Sequence, residues 1–169
     1  MNIDKISKTT DSLIKHKIIP EVGLFDITED MLCAYISIYN RVNGLYGRRY
    51  DKHHARRLAG LNLLNLKLQN RGGSPSNCKE GMVYLIENPS FPDHYKVGIT
   101  TSIPKRLATY QTCSPYRDYS VKKYEFSRDR KQTENAIFAS TNISLAKGEW
   151  ILKTTAAELF IHLLRTIGV

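Results

Sequence analysis

From Thr28 onward the apolar positions Met31, Leu32, Tyr35, Ile36, Tyr39 and Val42 recur at three- and four-residue steps and predict one face of a helix. Thr28 suits the N-cap, Glu29 and Asp30 suit the positive end of the helix dipole, and Gly44 stops the run. A second helix is expected from Asp51 to about Gln69, with Leu58, Leu61, Leu64 and Leu68 turned inward. Residues 1–27 mix charges with short apolar clusters, Leu13-Ile14 and Ile18-Ile19 before Pro20, and carry only a faint pattern for a short helix. The stretch Arg71-Gly72-Gly73-Ser74-Pro75-Ser76-Asn77 is rich in turn formers and reads as a linker. It divides the chain into a helical region, 1–79, and a second region, 80–169.

Beyond the linker the period changes. Met82-Val83-Tyr84-Leu85-Ile86 is short, apolar and β-prone, and Asn88-Pro89 and Phe91-Pro92-Asp93 supply turn chemistry before a second strand, His94 to Ile99. That is a hairpin with a long loop. Thr101 or Ser102 caps a helix that admits Pro104 in its first turn and ends near Thr112. Tyr119 to Phe126 reads as a third strand, and Arg128 to Ser140 as a helix with Ala136, Ile137 and Ala139 partly buried. Gly148 to Leu152 is a short extended piece, with Trp150 expected in the core. Thr155-Ala156-Ala157-Glu158 is a capping box opening a last helix whose Leu159, Phe160, Leu163, Leu164 and Ile167 face inward. The order ββαβα, extended, α implies an α+β fold: a small antiparallel sheet flanked by helices, preceded by a helical segment.

Composition narrows the class. The 169 residues suffice for a compact domain with a short helical partner, and 41% hydrophobic with 24% charged residues excludes wholesale disorder. The net charge of +9 and the sequence pI near 9.5 point to polyanions, nucleic acid first and anionic membrane second. Charge of this kind concerns solubility before function. Cys33, Cys78 and Cys113 are scattered, without zinc spacing, and read as reduced, partly buried thiols. Met1 to Thr10 is polar and no run is long enough to span a membrane, so a soluble, cytoplasmic protein with no membrane partner is expected.

Chemistry-bearing residues fall in a fixed order on these elements. Tyr84 lies on the first strand, Lys96-Val97-Gly98 on the second, Lys105-Arg106 on the next helix, Glu134 on the following one, and Gly148-Glu149-Trp150 after it. Singly, each has an ordinary explanation: a packing aromatic, solvated cations, a surface carboxylate. As an ordered set they resemble the GIY-YIG nuclease family, in its phage-associated branch with lysine in place of the second tyrosine. The resemblance covers roughly residues 80–152. It implies that Tyr84 contacts or deprotonates the attacking water, that Lys96 takes the second tyrosine's place, that Arg106 binds the scissile phosphate, and that Glu134 holds a single Mg2+ or Mn2+. Two positions depart from the family pattern: Tyr110 stands where a histidine is common, and Glu149 lies near the place of an asparagine.

The residue types suit that reaction. Hydrolysing a phosphodiester needs an in-line water and neutralisation of a highly charged transition state. Arg106 offers a planar fork, Lys96 a point charge, and a metal on Glu134 a Lewis acid. An ordinary tyrosine titrates near pKa ~10, so Tyr84 needs that cationic neighbourhood to act as a base. A single carboxylate is a sparse metal site, to which the substrate phosphate would add ligands.

In the N-terminal region Arg41, Arg48, Arg49, Lys52, Arg56 and Arg57 cluster with His53 and His54, and Tyr46 and Tyr50 are interleaved. Arginines with aromatics on a loose connector suit phosphate contacts and base stacking, so this region, with Lys105, is a candidate DNA-docking surface. The alternative is a basic helical hairpin that only packs. For the whole chain the leading expectation is a metal-dependent DNA endonuclease, phage-encoded, for host DNA cleavage or homing. A dimer or two sequential nicks would make a double-strand break. Two competitors stand beside it: a degenerate module of the same fold that binds nucleic acid without cutting, and a basic inhibitor of an acidic partner.

Overall fold

The computed structural model describes residues 3–44, 52–70, 74–140 and 145–166. The chain forms two compact units, Met1–Cys78 and Lys79–Val169. In the first, α1 (Ile3–Lys15), α2 (Glu29–Val42) and α3 (Lys52–Gln69) pack around Leu13, Ile19, Phe25, Ile27, Leu32, Tyr35, Ile38, Ala59, Leu63 and Leu64. The Thr28 side chain accepts from the Met31 N–H at 3.3 Å and starts α2 as expected. Gly44, at φ 62°, follows its end. Ile38 takes the buried place expected of Val42, which is exposed.

α1 ends without glycine. Lys17 adopts φ 55°, while the Ile18 N–H donates to Leu13 O and the Lys17 N–H to Ile14 O. This is the Schellman hydrogen-bond pattern. On α3 the buried residues among those described are Arg56, Ala59, Gly60, Asn62, Leu63, Leu64 and Lys67, so of the expected leucine stripe only Leu64 is fully buried. The true inward face carries a cation at each end, held by partners from the segment around the start of α2. Arg56 Nη2 lies 3.1 Å from Glu29 Oε2, and Lys67 Nζ 3.6 Å from Asp26 Oδ1.

The second unit is built on a five-stranded antiparallel sheet, in the order β3-β1-β2-β5-β4. Its strands are β1 (Gly81–Glu87), β2 (His94–Thr100), β3 (Ser120–Ser127), β4 (Leu145–Lys147) and β5 (Trp150–Leu152). The helices are α4 (Ile103–Thr112), α5 (Arg130–Ala139) and α6 (Lys153–Thr166). β1 lies between two neighbours, and every residue from Gly81 to Ile86 is buried, which accounts for its continuous apolar run. Alternation sorts its side chains to two faces. Val83 and Leu85 join Val97, Ile151, Ile137 of α5, and Ala156, Phe160 and Leu163 of α6 in one core, leaving Tyr84 for the other face.

Several boundaries differ from the sequence reading. β4 was not foreseen, and the extended piece Trp150–Leu152 is the inner strand of a hairpin with it. α6 begins at Lys153, two residues before the expected capping box, so Thr155 is inside the helix. Trp150 is half-buried and lies outside that core, and Ala139 is exposed. Of the cysteines only Cys78 is buried; Cys33 and Cys113 are exposed, and none of the three is in a disulfide. Among the described residues no helix is long and apolar enough to cross a membrane.

Candidate active site

Strand pairing begins the site. Tyr84 of β1 sits directly opposite Gly98 of β2. Its ring lies across that glycine, where an added Cβ would fall 2.5 Å from Tyr84 Cζ. The glycine of K-V-G therefore serves close approach. The Tyr84 hydroxyl accepts a hydrogen bond from Arg106 Nε at 3.0 Å and shares another with the Tyr110 hydroxyl at 3.2 Å. Arg106 and Tyr110 stand one turn apart on α4, a helix with no buried residue. Polar contacts hold that helix in place. Besides the Tyr84 bonds, Gln111 Nε2 donates to Tyr119 O at 2.8 Å while its Oε1 accepts from the Tyr119 N–H at 3.1 Å. Sequence reasoning missed Gln111, because a side chain bonded to a distant backbone leaves no periodic signal.

The other side of the site comes from β2, β5 and α5. Gly148, at φ 62°, makes the tight turn from β4 to β5 that G-E-W encodes. The Val97 N–H donates to Glu149 O at 2.9 Å, and Lys96 pairs opposite Trp150. These contacts bring Lys96 Nζ to 2.9 Å from Glu149 Oε2. The ammonium also lies 5.9 Å from the Tyr110 ring centroid and 5.6 Å from that of Trp150.

α5 starts at a dense anchor. The Asp129 carboxylate caps the Gln132 N–H at 2.9 Å, Ser127 Oγ bonds Thr133 Oγ1, and Arg130 donates from its backbone to Lys79 O and from Nη1 to Glu80 O. With Ile137 buried in the core three residues later, Glu134 is fixed at the margin of the site. Burial pushes its carboxyl above the usual range, the Glu149 charge adds to this, and Arg106 and Lys131 partly offset it.

These contacts and couplings bring Tyr84, Lys96, Arg106, Tyr110, Glu134 and Glu149 together, and they carry one consequence for Tyr84. Burial, then the Tyr110 hydroxyl, push its phenol well above the ordinary tyrosine range despite the nearby Arg106. The Tyr84 hydroxyl accepts from Arg106 and shares a bond with Tyr110, and burial with the Tyr110 bond disfavours the phenolate that a proton-abstracting role needs.

The donor set fits a hard divalent cation. Two carboxylates, Glu134 and Glu149, repel one another, and oxygen ligands supplemented by water and phosphate are what magnesium favours. Among the described residues no group of three or more His, Cys, Asp or Glu could hold a metal.

The remaining candidates are spread elsewhere. Lys105 is exposed on α4 beside Arg106, and Arg41 is exposed in the last turn of α2. Arg56 is withdrawn from any docking surface: it is 6% exposed and its guanidinium forks onto Glu29. Arg57 Nη2 lies 3.1 Å from His54 Nδ1. Arg48 and Arg49 lie outside the described residues, as does the Lys52 side chain.

No curated protein and no solved structure matches the chain. Residues 81–154, which contain all six clustered side chains, match the family model of the T5orf172 domain, a phage-associated nuclease-like domain family.

Proposed function

We propose that residues 80–169 form a GIY-YIG-type DNA endonuclease that hydrolyses phosphodiesters with Mg2+ or Mn2+. The observation that carries this reading is the cluster itself: cations, hydroxyls and two carboxylates drawn from β1, β2, α4, α5 and the β4–β5 turn. The T5orf172 match and the net charge of +9 support it.

Each side chain then has a task. Tyr84 occupies Arg106 Nε, which leaves both terminal nitrogens of the guanidinium as the fork for the scissile phosphate. Lys96 contributes a second positive charge, released toward substrate from its pair with Glu149. The Tyr110 hydroxyl, on the more exposed side of Tyr84, orients the attacking water. Glu134, with Glu149 beside it, would hold the divalent cation, whose Lewis acidity stabilises charge on the phosphate and the leaving oxygen. Arg41, Arg48, Arg49, Lys52 and Arg57, with Lys105, would add phosphate contacts, and two copies or two sequential nicks would sever a duplex.

One observation favours the non-cutting module as the second reading. The Lys96–Glu149 pair neutralises within the site a cation that catalysis needs free. Supercoiled plasmid incubated with Mg2+ or Mn2+ separates the two. Nicking that vanishes with EDTA and in Glu134→Ala supports the nuclease, whereas a gel shift without cleavage in both proteins supports the module.

A further inference from the structure

Asn88 closes β1 with its side chain buried, 4% exposed, and organises the loop that follows. Its Oδ1 accepts from the Ser90 N–H at 2.8 Å and its backbone oxygen from the Phe91 N–H at 2.9 Å; Phe91 O in turn accepts from the His94 N–H at 3.1 Å. Its amide donates to Asp118 Oδ1 at 2.7 Å, tying the loop to the start of β3. This hydrogen-bonded loop holds Phe91 46% exposed. The ring centroid lies 4.8 Å from that of Trp150, with the planes inclined at 53°. Neither ring belongs to the core between the sheet and helices α5 and α6. Trp150 directly follows Glu149 and pairs opposite Lys96, so this aromatic pair adjoins the catalytic cluster.

We propose that Phe91 and Trp150 are a stacking platform for the base next to the cleaved phosphate, and that the substrate is held there as an unpaired, unstacked nucleotide. This rests on the nucleic-acid reading of the site. A base within a duplex has its faces covered by its neighbours, and only an unstacked one can offer a face to the platform. Aromatic rings beside a cationic groove are how proteins grip single strands with little regard to sequence. A rigid loop suits that role, because the aromatic is presented without an ordering cost on binding.

Trp150 is the chain's one tryptophan, so its fluorescence reports directly on the platform. The intact protein is titrated, in EDTA to prevent cleavage, with a short oligothymidylate and with an abasic phosphodiester of equal length and charge. Oligothymidylate is expected to quench Trp150 and to bind roughly 5- to 100-fold tighter than the abasic strand. Phe91→Ala should erase that difference while leaving abasic affinity unchanged. Equal quenching and affinity for the two strands, no binding of either, or an equal loss for both in Phe91→Ala overturns the platform. The titration reads binding alone and the plasmid assay reads cleavage, so the two failures separate. Plasmid nicking without base-dependent quenching sinks the platform alone, and quenching without nicking sinks only the nuclease.

Discussion

Replacing Gly98 by alanine asks whether that glycine exists to admit Tyr84. A Cβ there falls 2.5 Å from Tyr84 Cζ and closer still to the phenol oxygen, against an ordinary carbon contact of roughly 3.5–4.0 Å. Tyr84 is 1% exposed, so its ring cannot swing aside without displacing the side chains packed around it. Overpacking of this kind costs about 1–3 kcal/mol. Displacing the ring also strands Arg106 Nε and the Tyr110 hydroxyl, at about 0.5–1.5 kcal/mol for each lost bond. A net loss of ~2–6 kcal/mol follows, and at ~4–8 °C per kcal/mol for a unit of this size even the lower bound should drop the midpoint by roughly 8–16 °C. Thermal unfolding followed through Trp150, which lies in the same unit, measures it. The decisive control is the double-mutant cycle. Gly98 is not at positive φ, so once Tyr84→Ala removes the ring, Gly98→Ala should be neutral or stabilising by about 0.4–1 kcal/mol. If Gly98→Ala costs the same in both backgrounds, the close-approach explanation is wrong.

Three further outcomes follow from charge and burial. The Glu134 carboxyl is raised in the folded protein, so its contribution to stability is present below the ordinary glutamate range and is lost as pH rises through the folded value. Glu134→Gln should therefore raise the metal-free melting temperature at neutral pH while abolishing cleavage; an unchanged or lower melting temperature counts against the burial argument. Tyr84 is also raised, so its contribution holds below pH ~10 and is lost only in stronger alkali. The pH–rate profiles of wild type and Tyr84→Phe should thus share one shape from about pH 6 to 9, differing only in height; an alkaline limb missing from the variant would restore Tyr84 as the base. Glu29→Ala leaves Arg56 buried without its carboxylate and should cost about 1–3 kcal/mol in denaturant unfolding, with a negligible change excluding a structural role for the pair.

Where burial followed hydrophobicity, the sequence was readable. Thr28, Leu32, Tyr35 and Gly44 marked α2 because cap, face and stop all agreed. The inward face of α3 was hidden for the opposite reason: Arg56 and Lys67 are buried through ion pairs, which a search for apolar periodicity assigns to solvent. Lys17, in a conformation usually given to glycine, concealed the end of α1, and β4 is three residues long, too short to show a period. For the site, residue types and order were legible, since each chemical group rides on a distinct element. Their mutual geometry was not. That Gly98 faces Tyr84, and that Tyr84 thereby becomes a buried phenol bonded to Arg106, depends on a strand register that neither strand records alone.

The most direct test of a single active site is the single-turnover cleavage rate of Arg106→Ala beside wild type, on one end-labelled DNA across a Mg2+ or Mn2+ titration. Loss of a fork that grips the phosphate most strongly in the transition state should lower the rate about 10²- to 10³-fold, with the half-saturating metal concentration unchanged. A rate within about twofold of wild type, a difference too small for a transition-state contact, would place the chemistry away from the Tyr84–Arg106–Glu134 cluster.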